Sequence, residues 1–281
     1  MRVLERINDV RSIVKEWKAQ GLKVGFVPTM GYLHEGHESL IKKASEENDK
    51  VVVSIFVNPI QFGPKEDLST YPRDLERDSK ICERAGANII FHPENEEMYF
   101  QDFSTYVDMN RLTSGLCGKS RPTHFRGVCT VVAKLFNIVS PHRAYFGEKD
   151  AQQLAVIKRM VRDLNIDIEI IGCPIVREED GLAKSSRNTY LSKEEREAAV
   201  ILNKSLKVAK KKIQEGEIWS NNIIKIIKDV IQSEKLARID YIEVVDSFSM
   251  ESVDKIEKSV LVAIAVFIGK TRLIDNFTYE L

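Results

Sequence analysis

Residues 22–40 read LKVGFVPTMGYLHEGHESL, and the fold class that we predict follows from this stretch. Leu22 to Thr29 is a short apolar run typical of a buried strand, and Ser39 to Glu47 has helical character. Gly31 to His37 forms a predicted turn between them and carries two histidines and two glycines. A helix N-terminus presents unpaired N–H groups and a partial positive charge. The turn is therefore a favourable place for a phosphate group.

Strand and helix patterns alternate from this stretch to about residue 176. Asn58-Pro59 ends the second strand, because proline lacks the N–H donor and restricts the residue before it. Predicted strands cover 50–57, 87–91, 143–146 and 167–173, and predicted helices cover 75–85, 127–139 and 150–164. This alternation predicts an α/β fold, a Rossmann-like parallel sheet with helices on both faces. Ligands bind such sheets beyond the carboxyl ends of the strands, so the candidate site loops are 28–37, 58–63, 147–150 and 176–187.

The composition changes after about residue 176. Ser192 and Glu195 form a predicted capping box, and a helix with a lysine-rich face follows them. A second helix is predicted over about 220–233, and three β-rich runs cover 240–245, 259–268 and 273–279. We therefore predict a Rossmann-like domain over residues 1–176 and a smaller C-terminal α+β domain over residues 177–281.

The overall composition is that of a globular protein with no excess of either charge. The chain has 281 residues, with 42 Lys and Arg against 42 Asp and Glu, so its formal net charge is zero. Zero net charge argues against a nucleic-acid partner, although a single pocket can still be basic. The longest apolar run, residues 260–268, is too short to cross a bilayer, and no signal peptide is visible. The four cysteines form no CxxC pair, so a cytoplasmic protein without disulfides is expected.

Two histidines in the first loop are candidates for phosphate chemistry. His34 and His37 lie at the start of the predicted helix, where their N–H groups can donate to a phosphorane as its charge grows. The alternative is a polar turn whose histidines only cap the helix. A short HxGH pattern leaves both interpretations open.

Residues 184–187, Lys-Ser-Ser-Arg, carry a lysine, two hydroxyls and an arginine that can wrap a triphosphate. A charged interdomain loop is the alternative. In the loop 147–150, Gly147 permits close backbone approach, Lys149 can neutralise phosphate and Asp150 can accept from a ribose hydroxyl. Here the alternative is a helix cap formed by Asp150 and Gln153.

The loop 58–63 and a later polar segment carry weaker candidates. Gln61 can orient a polar substrate, and Phe62 can pack on an apolar part of it, but a proline turn leaving a strand explains both. His124 belongs either to a second polar loop near the site or to the start of a helix. The chain has no GxxxxGK[ST] loop, no GxGxxG fingerprint and no visible Ser-His-Asp or Cys-His nucleophile.

The HxGH element after the first predicted strand and the KSSR element after the last one resemble the HIGH and KMSKS signatures of the nucleotidylyltransferase superfamily. Within it, five blocks resemble the pantothenate synthetase (pantoate–β-alanine ligase) family and occur in that family's order. They are PTMGYLHEGHESL (28–40), VSIFVNPIQFGPKEDLSTYPR (53–73), RPTHFRGVCTVVAKLFNIVSP (121–141), AYFGEKDAQQL (144–154) and REEDGLAKSSRNTYLS (177–192). Five ordered blocks are far more specific than any one of them.

The resemblance implies an ATP-dependent condensation of pantoate with β-alanine to pantothenate, through pantoyl adenylate, with release of pyrophosphate and AMP. It implies catalytic roles for His37, His34 and Lys149, and pantoate or β-alanine contacts for Gln61 and Gln153. The ATP contacts that it implies are Met30, Gly31, Tyr32, Leu33, His34, Glu35, Gly36, His37, Gly147, Glu148, Lys149, Asp150, Val176, Lys184, Ser185, Ser186 and Arg187.

The resemblance also implies Mg²⁺ bound mainly by phosphate oxygens and water. Asp78 is a candidate that supports the metal ion indirectly and does not coordinate it. The resemblance further implies a homodimer. A separate hypothesis is that the C-terminal domain acts as a lid, because the KSSR element lies at the junction of the two predicted domains. Three other functions are alternatives for the same motifs: a nucleotidyltransferase that stops at the adenylate, a class I aminoacyl-tRNA synthetase and a non-enzymatic nucleotide sensor. Zero net charge and the absence of a large anticodon-binding extension argue against the tRNA synthetase.

Overall fold

The computed structural model describes residues 1–64 and 66–281 of the chain. Lys65, which falls within the block 53–73, lies outside the described residues. Contacts between Cα atoms divide the chain into two compact units. The first comprises 1–109, 121–148 and 153–174, and the second comprises 110–120, 149–152 and 175–281. The predicted domain boundary at residue 176 stays a prediction about folding domains.

Six parallel strands form the sheet of the first unit, in the order β1-β4-β3-β2-β5-β6. They are β1 (Arg2–Leu4), β2 (Val24–Thr29), β3 (Lys50–Ile55), β4 (Ile89–Phe91), β5 (Arg143–Gly147) and β6 (Glu169–Cys173). From β2 the chain adds β3 and β4 on one side, and later β5 and β6 on the other. The strand order therefore reverses between β2 and β5. In open α/β sheets ligands bind at this switch point, beyond the carboxyl ends of the strands.

Helices cover both faces of this sheet, as the alternation predicted. Alternate residues of a strand face opposite sides, so Val27 packs in a cluster with Ile41, while the neighbouring Phe26 meets Phe136 on the other side. The helices between β1 and β6 are α1 (Ile7–Ala19), α2 (Glu35–Glu47), α3 (Leu75–Arg84), α4 (Asn95–Met98), α5 (Leu116–Ser120), α6 (His124–Val139) and α7 (Ala151–Asp163). Of these, α5 belongs to the second unit. The predicted Rossmann-like α/β class is confirmed.

The second unit is built on a three-stranded antiparallel sheet. Its strands are β7 (Ala237–Asp246), β8 (Val260–Ile268) and β9 (Thr271–Tyr279), in the order β7-β8-β9. Its helices are α8 (Lys193–Ala198), α9 (Ile201–Gln214) and α10 (Ser220–Ile231). Leu206 of α9 and Ile227 of α10 pack with Ile264 in one buried cluster. The smaller α+β architecture is therefore confirmed as well.

Several predicted boundaries differ from the observed ones. Helix α2 begins at Glu35, not Ser39, because His34 caps it. The predicted long helix after Ser192 is two helices, since α8 ends at Ala198 and α9 begins at Ile201. Strand β1 was not predicted, because three residues are too few for a hydrophobic pattern. Among the described residues, no helix combines the length and the apolar character needed to span a membrane.

Candidate active site

A buried carboxylate holds the turn that follows β2. Backbone N–H groups of Tyr32 and Leu33 each donate to the Asp78 carboxylate from α3, both at 2.7 Å. Gly31 and Tyr32 have positive φ angles of 83° and 50°, a conformation that favours glycine. A Cβ atom on Gly31 would lie 2.9 Å from a methyl carbon of Ile55 and 3.1 Å from the Asp78 carboxylate. Asp78 therefore fixes the backbone just before His34.

Asp78 is almost fully buried, with 1% of its surface exposed. Burial raises the pKa of its carboxyl group, and the two backbone hydrogen bonds oppose that shift. Each carboxylate oxygen accepts one backbone N–H. The structure thus gives Asp78 a positioning role in the turn, and its expected indirect action on a metal ion stays a prediction.

The two histidines of the HxGH turn both take part in capping α2. Nδ1 of His34, the N-cap residue, accepts from the Gly36 N–H at 3.1 Å. Nδ1 of His37 accepts from the His34 N–H at 3.3 Å, and the ring centroids lie 4.1 Å apart. Because each Nδ1 accepts, these hydrogen bonds assign the proton of each neutral ring to Nε2. Capping and phosphate donation thus use different ring atoms and do not exclude each other.

Gln61 lies in a short 3-10 turn after β3 and is buried. Its side-chain oxygen accepts from Asn58 Nδ2 at 3.0 Å, and its Nε2 lies 3.2 Å from the sulfur of Met30. Asn58 in turn accepts from the Tyr99 hydroxyl at 2.7 Å. This network fixes which end of the Gln61 amide donates. The structure therefore brings the predicted residues Met30 and Gln61 together.

The backbone of Gln61 is held from the other side by α6. His124, the first residue of α6, donates from Nδ1 to the Gln61 carbonyl oxygen at 3.0 Å. A Cβ atom on Gly127 would lie 2.5 Å from both the Ile60 carbonyl oxygen and the Gln61 Cα. Helix α6 can approach this closely only because residue 127 is glycine. His124 is thus both the start of a helix and a support for Gln61.

Asn58 and Tyr99 were missed as supporting residues by the sequence reasoning. Tyr99 is far from Gln61 along the chain, and no local pattern connects the two. Burial raises the pKa of the Tyr99 hydroxyl, so it stays a neutral donor. An asparagine beside a proline is typical of a turn. Only the fold shows that this one is buried and hydrogen-bonded to Gln61.

Gly147 ends β5 at the switch point, and Glu148 follows it. Nothing lies within 4 Å of the position that a Cβ atom on Gly147 would occupy, so the surface beside its backbone is open. Close approach of a ligand is therefore sterically possible here. This loop and the HxGH turn leave the carboxyl ends of β5 and β2, which are neighbours in the sheet.

In the second unit, Lys149 and Asp150 belong to one short segment. The Lys149 ammonium lies 3.8 Å from the Asp150 carboxylate. The carbonyl oxygen of Lys149 accepts from Asn276 Nδ2 of β9 at 2.9 Å. Gln152, which is buried, donates to the carbonyl oxygens of Leu112 and Gly115 at 2.8 and 3.0 Å. The segment that carries Lys149 is therefore held at several points.

The KSSR element follows a short hairpin turn, residues 177–183, which an isolated antiparallel bridge between Arg177 and Ala183 closes in the same unit. We call this turn the KSSR hairpin. The Lys184 N–H donates to the Val176 carbonyl oxygen at 2.9 Å, so two predicted ATP contacts lie side by side. The Lys184 ammonium pairs with Glu178 at 2.7 Å. Ser185 caps the 3-10 turn at residues 186–190 by accepting from the Arg187 N–H. A bound phosphate would compete with Glu178 for Lys184 or share it.

The segments of the first unit present imidazole and backbone N–H groups, and those of the second unit present ammonium and guanidinium groups. None of these segments carries an activated nucleophile. The four cysteines are free and buried. Burial raises the pKa of Cys82 and of Cys129 to about 12, so both stay protonated thiols. Among the described residues, no cluster of three or more His, Cys, Asp or Glu could hold a metal ion. The groups present suit binding and orienting an anionic substrate.

Comparison with known proteins identifies the family of the chain. The family model for pantoate-beta-alanine ligase matches residues 2–278. A pantothenate synthetase of Enterococcus faecalis is 72% identical over 281 residues, which is 100% of both chains. The crystal structure of pantothenate synthetase from Thermus thermophilus has a TM-score of 0.94 at 44% identity and covers 99% of each chain. The pantoate-beta-alanine ligase of Francisella tularensis, solved with beta-gamma ATP and beta-alanine, has a TM-score of 0.80 at 38% identity, covering 99% of this chain and 97% of its own.

Proposed function

Since the chain belongs to the pantoate–β-alanine ligase family, we propose that it makes pantothenate from pantoate, β-alanine and ATP through a pantoyl-adenylate intermediate. The observation that carries the proposal is the family match over residues 2–278, because it spans every segment with a predicted site residue. A relative of this family binds beta-gamma ATP and beta-alanine in its crystal structure, which supports the same ligands here.

In the first half-reaction, a carboxylate oxygen of pantoate attacks the α-phosphorus of ATP. The bond from that phosphorus to the bridging oxygen breaks, and pyrophosphate leaves. Negative charge grows on the phosphoryl oxygens, so hydrogen-bond donors held in place lower the barrier. We assign this role to Nε2–H of His34 and His37, whose rings are fixed through Nδ1. No covalent enzyme intermediate is needed.

Several further residues are proposed to hold ATP. Lys149 would neutralise the α-phosphate, while Gly147, Glu148 and Asp150 would contact the ribose side of the nucleotide. The backbone of Val176 would contact adenine. The turn residues Met30, Gly31, Tyr32, Leu33, Glu35 and Gly36 would contact ATP beside the histidines, and Lys184, Ser185, Ser186 and Arg187 would bind the β- and γ-phosphates.

Gln61 and Gln153 are proposed to bind the hydroxyl and carboxylate oxygens of pantoate. The Asn58 contact leaves Gln61 to meet substrate as a donor through Nε2, which suits a carboxylate or hydroxyl oxygen. In the second half-reaction the β-alanine nitrogen attacks the acyl carbon, and the bond to the AMP oxygen breaks. Starting from the ammonium form, β-alanine loses two protons and the amide forms as AMP leaves.

Mg²⁺ is proposed to arrive as part of the MgATP substrate. It would neutralise phosphate charge, bound mostly by phosphate oxygens and water. The Asp78 carboxylate fits indirect support better than direct coordination, because it already accepts the N–H groups of Tyr32 and Leu33.

Pantoate-dependent exchange of labelled pyrophosphate into ATP tests the proposed adenylation. We expect exchange with pantoate present and β-alanine absent, because adenylate formation is reversible on the enzyme. Omitting pantoate is the control and should abolish exchange. ATP binding without exchange would contradict the proposal and favour a nucleotide sensor.

The proposal includes three properties of the whole protein. The smaller unit would act as a lid, which small-angle scattering with and without a non-hydrolysable ATP analogue tests; identical profiles would contradict it. The protein would be a homodimer, which sedimentation equilibrium tests. It would work in the cytoplasm, where reduced cysteines such as the four here are normal.

A further inference from the structure

Two adjacent residues of the edge strand β9, Asp275 and Asn276, are both buried polar groups. Neighbouring residues of a strand point to opposite faces of the sheet. Asp275 pairs with Ile264 of β8, and it lies in the row of β9 that contributes Leu273 to the apolar core under the helices. Asn276 points to the other face. A polar pair at this position therefore reaches both faces of the small sheet.

The Asp275 carboxylate holds Arg177 at the base of the hairpin that leads to Lys184. Arg177 donates to the two carboxylate oxygens at 2.7 and 2.9 Å, a bidentate pair in which Asp275 is 1% exposed. The same guanidinium donates to the Gly181 carbonyl oxygen at 3.1 Å and so ties the hairpin together. A charged residue in an apolar row is costly unless it is paired in this way. Asp275 therefore fixes the base of the KSSR hairpin.

Asn276 holds the other phosphate-binding segment of this unit. Its amide donates to the Lys149 carbonyl oxygen at 2.9 Å, next to the bond that leads to Asp150. Its own N–H donates to Asp275 at 2.8 Å, which links the two contacts. The Lys149 segment and the KSSR hairpin are far apart along the chain, yet both are hydrogen-bonded to this pair of adjacent residues.

We propose that Asp275 and Asn276 are positioning residues for ATP, which set the Lys149 segment and the KSSR hairpin in a fixed relation to each other. This inference rests on the proposed function, because it takes Lys149 and residues 184–187 as phosphate ligands. Neither residue touches substrate in this role. The reaction rate depends steeply on positioning, since misplacement of a binding group by about 1 Å can lower it roughly 100-fold.

The test compares Asp275→Asn, Arg177→Lys and Asn276→Ala in the full-length protein by pyrophosphate exchange. Asp275→Asn keeps the size of the side chain but removes the charge that Arg177 binds. Arg177→Lys keeps the charge but removes the bidentate geometry. Asp240→Asn is the matched control, because Asp240 and Arg272 form an Asp–Arg pair in the same sheet that contacts Ser120 and no predicted phosphate ligand.

We expect the three test variants to raise the KM for ATP about tenfold or more, with the KM for pantoate unchanged, while the control changes neither. Loss of folded protein alone lowers the apparent kcat and leaves both KM values as they were. Unchanged KM for ATP in folded Arg177→Lys and Asn276→Ala would overturn the inference, even if Asp275→Asn does not fold. Absence of exchange in the unmodified protein would instead contradict the proposed function itself.

Discussion

At the scale of single residues, the capping contact of His37 and its proposed contact with phosphate use different ring nitrogens. Nδ1 accepts the His34 N–H and caps α2, whereas Nε2 carries the proton that we assign to the phosphate. An asparagine places its oxygen near the position of Nδ1, and a glutamine places its nitrogen near that of Nε2. Substitution by each amide therefore tests capping and donation separately.

We predict that His37→Asn keeps the thermal stability of the protein but lowers the rate of adenylation by about 100-fold to 1,000-fold, the cost of one transition-state donor. His37→Gln should lose stability through the missing cap and keep more of the rate. Single-turnover formation of pantoyl adenylate and thermal unfolding measure the two effects. A normal adenylation rate in His37→Asn would refute the role of Nε2.

Lys149→Ala should slow adenylation by orders of magnitude without unfolding the protein. The substitution removes a positive charge expected at the α-phosphate, and the segment keeps its link to β9 because Asn276 binds the backbone of residue 149. Single-turnover kinetics and circular dichroism provide the measurements. Lys193→Ala, in the first turn of α8, is the control, and near-normal adenylate formation in Lys149→Ala would rule out the assignment.

At the scale of secondary-structure elements, Glu66 and Arg121 fasten the loop after β3 to the segment before α6. Arg121 donates to both carboxylate oxygens of Glu66 at 2.6 Å. Burial raises the pKa of the Glu66 carboxyl, but the hydrogen bonds and charge of Arg121 outweigh it and leave the pKa below the ordinary 4.5. The charged form is therefore favoured in the folded state. Its contribution to stability is present above pH 4.5 and is lost as the pH falls through the lower folded-state pKa.

We predict that Glu66→Gln lowers the free energy of unfolding by about 1–3 kcal/mol at pH 7, as expected for hydrogen bonds to a charged group. The difference from the unmodified protein should shrink as the pH falls from 4.5 through the lower folded-state pKa, because below that pKa both proteins carry a neutral side chain. Urea unfolding from pH 7 downwards measures it. The control is Glu76→Gln in the exposed Glu76–Lys80 pair, which should change little. A pH-independent difference would contradict the explanation.

The capping box at the start of α8 was predicted from the sequence and is confirmed. Ser192 accepts from the Glu195 N–H at 3.2 Å, and Glu195 accepts from the Ser192 N–H at 2.8 Å. We predict that Ser192→Ala lowers the free energy of unfolding by about 1 kcal/mol, since an N–H group of the first turn loses its partner. Chemical denaturation measures this loss. Lys193→Ala, one residue later and outside the box, serves as the control, and equal stability of the two variants would count against the cap.

The elements that the sequence predicted well are those with a long local pattern. Strand β8 carries a continuous run of apolar residues and helix α6 carries apolar residues at helical spacing, so the type of each element followed from its local pattern. Strand β1 is too short for a pattern and forms only because β4 pairs with it. The HxGH turn was found because its residues are contiguous. The contact of Tyr99 with Asn58, which in turn holds Gln61, and the contacts of Asp275 and Asn276 were not predicted, since they join distant parts of the chain.

Asp275 did leave a signal in the sequence that could have been used. It stands between Leu273 and Phe277 in the alternating pattern of β9, at a position expected to face the core. An acidic residue is almost never fully buried unless it is paired. Such a break in an apolar row predicts a buried partner, although only the fold identifies the partner as Arg177.

At the scale of the whole molecule, the net charge of zero is a total over the chain and says nothing about the charge of an individual binding site. The 42 acidic and 42 basic residues cancel, yet Lys149, Lys184 and Arg187 all belong to the second unit and are proposed to act on one anion. A basic site of this size needs no excess charge elsewhere. The charge balance therefore separates a small anionic substrate from a polyanion, which would need an extended basic surface.

The complete reaction distinguishes a ligase from a transferase that stops at the adenylate. We predict that ATP and pantoate alone yield about one equivalent of AMP-containing product per enzyme, because the adenylate stays bound in a site that keeps water out. Steady release of free AMP should begin only when β-alanine is added, since its amine is the acceptor that breaks the acyl–phosphate bond. Quenched-flow sampling with labelled ATP measures bound adenylate and free AMP, and an amine-free carboxylic acid of similar size is the control. Continuous AMP release without any amine would show that water is the acceptor, and turnover that yields free adenylate would show a nucleotidyltransferase; either result would overturn the ligase mechanism.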